Sequence, residues 1–162
     1  MRRCEVFSAP CFWANSEFLE VPISRIDVQN LTYALIQVIH NFGAVTVVGT
    51  AASALWLVRG NAAIQHRLAL LTAMVWAVQA ATGVLFGVST FYYEGHLPDI
   101  HGIAVDALLI KIGCASTGFV LAVAYVKWNS EWAVTKQLLA WRASLTLGAI
   151  ALSSAAFLRW FS

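Results

Sequence analysis

Charge is scarce in this chain. Only 11% of its 162 residues are Asp, Glu, Lys or Arg, against about 25% in an ordinary soluble domain. With 60% hydrophobic residues, the sequence lacks the polar side chains needed to wrap a single core in a wetted shell. That excludes an ordinary soluble enzyme, a disordered regulator and a nucleic-acid-binding module. Proline is also rare: Pro10, Pro22 and Pro98 are the three, and all fall outside the long apolar runs. The cysteines Cys4, Cys11 and Cys114 form no CxxC pair and match no zinc spacing. Cys4 and Cys11 have a disulfide open to them if the N-terminus faces an oxidising compartment. Cys114 sits in an apolar run and reads as a small packing residue. The sequence contains no GxSxG, HExxH, Walker loop or dinucleotide fingerprint, so a soluble-type catalytic site is not expected.

What is present is long apolar sequence. Four stretches stand out, over about residues 31–58, 68–90, 101–126 and 138–161. Each exceeds the roughly 20 residues a helix needs to cross a hydrocarbon core of about 30 Å. Backbone groups in lipid must bond within their own segment, and the runs are too long and too little alternating for barrel strands. Short connections make consecutive helices antiparallel. The expected fold is an all-α, integral membrane, up-down four-helix bundle over 31–162, preceded by an extramembrane arm at 1–30. The arm lacks the apolar core of a signal peptide. It is expected to lie at the interface, with Phe12, Trp13, Phe18 and Leu19 toward lipid or a partner, unless it is an extension upstream of the true start.

The few charges orient the bundle. Arg59, Arg67, Lys127, Lys136 and Arg142 gather in two connections on one side, against the single acid Glu131. The 91–100 connection holds Glu94 and Asp99 and no Lys or Arg. Positive charge stays cytoplasmic, so both termini are expected outside, in the periplasm if the membrane is a bacterial inner membrane. Aromatics mark the boundaries: Trp56, Trp128, Trp132 and Trp141 on one side, Tyr33, Phe91, Tyr92, Tyr93 and Trp160 on the other. Gly and Ala cluster in every span, with Gly83 and Gly87 as a GxxxG. Small residues let helices approach closely, within the bundle or against another membrane subunit.

Polar groups inside spans are costly and are the first place to seek function. His40, Asp106, Lys111 and His101 are the ionisable ones, with Gln37 and Gln79 beside them. At 1.5 Å per residue, His40 lies about 14 Å from the outer end of its span and Lys111 about 15 Å from the same side. With Gln79 they can share one layer. Asp106 lies nearer the surface, His101 at the mouth of the third span, and His96 in the connection before it.

Three readings follow. Neutral imidazoles ligate haem b iron or copper, and His40 with His101, or His40, His96 and His101, would be that set, although ideal helix rise offsets His40 and His101 by roughly 10–14 Å. A second reading is proton or ion transit centred on Lys111. Asp106 and Lys111, five residues apart, lie about 140° apart on a helix, so Lys111 should seek another helix, at Gln79 or the His40 ring. In the third, His40, Gln37, Gln79 and Lys111 form a hydrogen-bonded plug that fixes helix register. Lys111 lies too deep to snorkel comfortably. His66 with Arg67 caps the basic side.

Three segments also carry a resemblance: IHNFGAVTVVGTAASALWL in the first span, HRLALLTAMVWAVQAATGVLFG in the second and ALLIKIG in the third. Over about 31–127 they resemble the copper resistance protein D domain-like group of small bacterial four-helix membrane proteins. That group has a first-helix His, an Arg-led second helix ending near Thr-Gly, and a third-helix Lys. His40, Thr82, Gly83 and Lys111 match. The resemblance implies copper uptake, or a place among neighbouring b-type cytochromes; this chain departs in having no Met-rich outer loop. The expected role is a small membrane subunit or anchor of a larger redox or respiratory assembly, with other membrane subunits and the bilayer as partners. The alternatives are a haem b- or copper-binding protein and a small proton or ion transporter.

Overall fold

Helices begin and end here where a side chain or a glycine can satisfy the terminal backbone groups. Asn61 caps the second helix, its side-chain oxygen accepting from the Ile64 N–H at 3.1 Å, so the helix starts at Ala62, six residues before the apolar run at 68. It ends at Gly95, whose φ of 76° is left-handed and whose N–H bonds the Phe91 carbonyl, a cap that a side-chain-bearing residue adopts at a cost. The computed structural model describes residues 23–96 and 102–161. Within them lie α1 (Ile23–Trp56), α2 (Ala62–Glu94), α3 (Ile103–Trp128), a short 3-10 turn (Asn129–Glu131) and α4 (Val134–Phe161).

The fold is the expected one: an all-α, up-down four-helix bundle whose helices are long and apolar enough to cross a membrane. The helices overrun the apolar stretches. α1 has 34 residues and α2 33, about 50 Å each at the standard rise, so both project beyond the hydrocarbon. α1 reaches at least eight residues before the expected span start at 31. Residues 1–22, with the expected interfacial aromatics and the Cys4–Cys11 pair, lie outside the described residues.

The bundle is two hairpins. α1 packs most extensively on α2, and α3 on α4; the α2–α3 and α1–α4 contacts that close the ring are sparser. The hairpins meet tightly at the end carrying Arg59, Arg67, Lys127 and Lys136. There Ala51, Ala54 and Leu55 of α1, Ala69 of α2, Tyr125 of α3, and Ala140 and Trp141 of α4 form one buried cluster. Tyr125 is its hub. Its hydroxyl donates to Gln65 Oε1 at 2.6 Å, and its ring meets Trp141 at 5.0 Å and Trp132, edge-on, at 5.8 Å. Trp141 is therefore a core residue at 3% exposure rather than an interfacial anchor, because the small Ala51 and Ala54 of α1 and Ala69 of α2 leave room for its ring. Trp56 and Trp128 remain exposed. His66, expected as a cap with Arg67, bonds through Nδ1 to the Asn129 amide at 3.1 Å and so ties α2 to the α3–α4 corner.

Lipid is as apolar as leucine, so helix association rests on close packing and interhelical hydrogen bonds rather than on burial from water. The glycines divide accordingly. A Cβ on Gly118 would strike the Trp76 indole at 2.5 Å, and one on Gly148 would press on Val47 and Val48 of α1. At Gly83 and Gly87, the GxxxG pair, an added Cβ would meet nothing within 4 Å among the described residues. Cys114 is buried and free, the packing residue its surroundings suggest.

The same substitution at two positions of α3 separates packing from propensity. Gly118→Ala is expected to destabilise by about 1–3 kcal/mol through overpacking of the rigid indole. Gly113→Ala, with open space around it, should be neutral or slightly stabilising through helix propensity. Thermal unfolding of the two purified variants checks the contrast.

Candidate functional site

The face of α1 that meets α2 carries His40, Gly43, Val47 and Thr50, spaced by threes and fours as one helix face requires. The facing residues of α2 are Thr72, Gln79 and Thr82. Contacts run in antiparallel order along this seam. Thr50 and Thr72 hydroxyls meet at 2.8 Å near the basic end. At the far end the Tyr33 hydroxyl lies 3.2 Å from Thr90 Oγ1 and 3.4 Å from Glu94 Oε1, which share its one hydrogen, with its ring 5.3 Å from Phe86.

Between them sits the polar cluster. Gly43 lacks a Cβ where one would collide with the Gln79 amide. Gln79 therefore reaches the α1 backbone and donates to the His40 carbonyl at 2.5 Å. The His40 ring is held at both nitrogens, with Nδ1 2.8 Å from Thr82 Oγ1 and Nε2 2.8 Å from Lys111 Nζ.

Donor accounting assigns the protons. A threonine hydroxyl has one hydrogen, and Thr82 Oγ1 lies 2.8 Å from the Val78 carbonyl and 3.2 Å from the Gln79 carbonyl, both acceptors only. Thr82 donates there, so it accepts from His40 Nδ1–H. Nε2 then offers its lone pair to Lys111, since an imidazolium would set two N–H donors face to face. His40 is a neutral imidazole clamped in one tautomer, and Lys111 is its donor. Lys111 lies on α3 about 12 Å from the start of that helix, on the diagonal from α1. Its long side chain crosses from one hairpin to the other.

Toward this end the hairpins part and enclose a cleft of about 810 Å3, bounded by all four helices. Such a volume lies within the roughly 300–1,000 Å3 of small-molecule sites. The wall is apolar: Val47, Trp76, Leu108, Phe119 and Leu152 among others. Its polar members include His40, Gln79 and Lys111. Trp76, 4% exposed, turns its indole N–H onto Gly118, where it finds no acceptor.

The sequence candidates thus separate. His40, Gln79 and Lys111 come together. Gln37 is exposed and donates to Asn41 at 3.4 Å within its own helix. Asp106 is exposed in the first turn of α3. His96 lies exposed in the α2–α3 connection, and His101 lies outside the described residues. Among the described residues no three His, Cys, Asp or Glu gather as a metal site. An axial or copper ligand must offer a ring lone pair, and here Nε2 gives its own to Lys111.

Thr82 and Gly43 are the residues the polar inventory passed over. Thr82 stood out only in the Thr-Gly match of the resemblance. The available signal was helical spacing: Gly43 one turn after His40, and Thr82 one turn after Gln79.

The cluster has a direct test. Lys111→Met and His40→Phe should each destabilise the bundle, and the double variant should cost less than their sum. The expected coupling is about 0.6–1.7 kcal/mol, the span from average to largest for intramembrane hydrogen bonds. Strict additivity in the double-mutant cycle would show that the two side chains do not meet. No family model, curated protein or solved structure matches the chain.

Proposed function

We propose that the protein is an intramembrane binding protein, a small polytopic subunit that holds a lipid-soluble molecule between its two hairpins. One observation carries this reading: the hairpins pack tightly at the basic end, yet they part around a cleft of about 810 Å3 into which His40, Gln79 and Lys111 converge. A bundle stabilised for its own sake would fill that space, because unfilled volume forfeits dispersion contacts. An apolar wall with a few convergent polar groups is the usual build of a ligand site.

A membrane subunit of a redox or respiratory assembly, the role expected from the sequence, fits a protein that binds a molecule mobile in lipid. His40, Thr82 and Lys111, positions at which the chain resembles the copper resistance protein D domain-like group, make one hydrogen-bonded chain. They do not by themselves support copper, which would have to displace Lys111 from Nε2. In the bilayer, the basic connections are assigned to the cytoplasmic face and the cleft to the outer half, with both termini outside.

Native mass spectrometry of protein extracted in mild detergent tests binding. The wild type is expected to retain a small molecule, and Ala115→Trp, which places an indole in the cleft, should lose it. Equal retention by both overturns the reading, as would a Soret band that disappears in His40→Ala, which would make the site a haem site. Topology is tested separately: a C-terminal alkaline phosphatase fusion should be active and the matching GFP fusion dark.

A further inference from the structure

The charge around the cleft does not balance. Lys111 brings an ammonium with three N–H donors, and among the described residues its hydrogen-bond partner is the His40 imidazole, which is neutral by the donor accounting above. No described carboxylate pairs with it. Asp27 is exposed more than three turns outward of His40 on α1, Asp106 is exposed on another side of α3, Glu94 is engaged by Tyr33 at the outer end of the first hairpin, and Glu131 is at the opposite end of the bundle. A charge taken partly out of water is costly unless it is paired, and the space beside this one is the cleft itself.

The shape of the cleft adds direction. Its α3 wall runs from Leu108 to Val120, about 18 Å of helix at the standard rise. Lys111 stands near the outer end of that wall. From there toward the bundle centre the wall is chiefly apolar, through Val47, Trp76, Phe119 and Gly148. The cationic group is at the outward end and the hydrocarbon-like wall below it. A membrane amphiphile in the outer leaflet has this same order, head outward and chain toward the midplane.

We propose that the molecule held in the cleft is an anionic single-chain amphiphile, its carboxylate or phosphate head bonded to Lys111 and its chain laid along the apolar wall. This rests on the binding function proposed above and adds the sign of the ligand's charge. The two Lys111 N–H donors not used on His40 take the head-group oxygens, and charge-assisted bonds of this kind are roughly twice as strong as neutral ones. His40 acts as a positioning residue. Clamped by Thr82, it holds the lysine across the cleft instead of letting it extend toward the outer interface.

The test compares three probes sharing one alkyl chain, dodecanoate, dodecyl phosphate and dodecanol, by isothermal titration of the protein in phosphatidylcholine nanodiscs. At least one anion is expected to bind about tenfold or more tighter than the alcohol, and the tighter anion identifies the head group. Lys111→Met should abolish that preference, so that both anions bind no tighter than dodecanol to the same variant, and Lys111→Arg should restore it. The wild-type comparison stands on its own if the methionine variant does not fold. Equal binding of the alcohol and both anions overturns the charge assignment but leaves the binding function standing. Failure of all three to bind, with Ala115→Trp indistinguishable from wild type, overturns both.

Discussion

A lysine deep in a hydrocarbon layer must reach a partner inside the protein, and the partner must be able to accept. Lys111 finds the Nε2 lone pair of His40 across the diagonal of the bundle. That lone pair is available only because Thr82 takes the other ring proton, and Thr82 can accept because its own hydrogen goes back to the α2 backbone. Gln79 secures the same stretch of α1 through the His40 carbonyl, and it gets there only because residue 43 is glycine. Each link follows from the shortage of water: a polar atom here is satisfied by the chain or by a ligand.

The two halves of the molecule answer this constraint differently. At the basic end, alanines bring four helices close enough to bury Trp141 and Tyr125; the tyrosine hydroxyl is satisfied by Gln65, while the Trp141 indole N–H has no acceptor among the described residues. Toward the other end the α1–α2 hairpin keeps polar contacts at intervals, Thr50–Thr72, His40–Thr82 and Tyr33–Thr90, while the α3–α4 hairpin stands further off and reaches across with the Lys111 side chain. Rigidity at one end and space at the other place the cleft at the open end, held in register by the closed one.

Several features were legible before any coordinates. Runs of more than 20 apolar residues, prolines only outside them and bases concentrated in two connections determine four antiparallel helices. The expectation that Lys111 would turn to another helix follows from the 140° between it and Asp106, and the His40 ring is where it ends. Boundaries were less legible, because hydropathy reports where lipid is tolerated, whereas Asn61 and Gly95 decide where helices start and stop. Trp141 was misplaced for a related reason. An aromatic near a span end reads as an interfacial anchor, and only the alanines opposite, on other helices, reveal a pocket for it.

By itself, then, the sequence determined the class of solvent, the number and direction of the helices, and which polar residues had to find partners inside. These follow from local composition and from the energetics of a single helix in lipid. Tertiary structure alone decided that Lys111 meets His40 rather than Gln79, that Gln37 and Asp106 stay outside the cluster, and that the hairpins part to leave a cleft. Those outcomes depend on how far apart two nonadjacent helices stand, a distance set by glycines and alanines whose effect appears only when the opposing surface is in place.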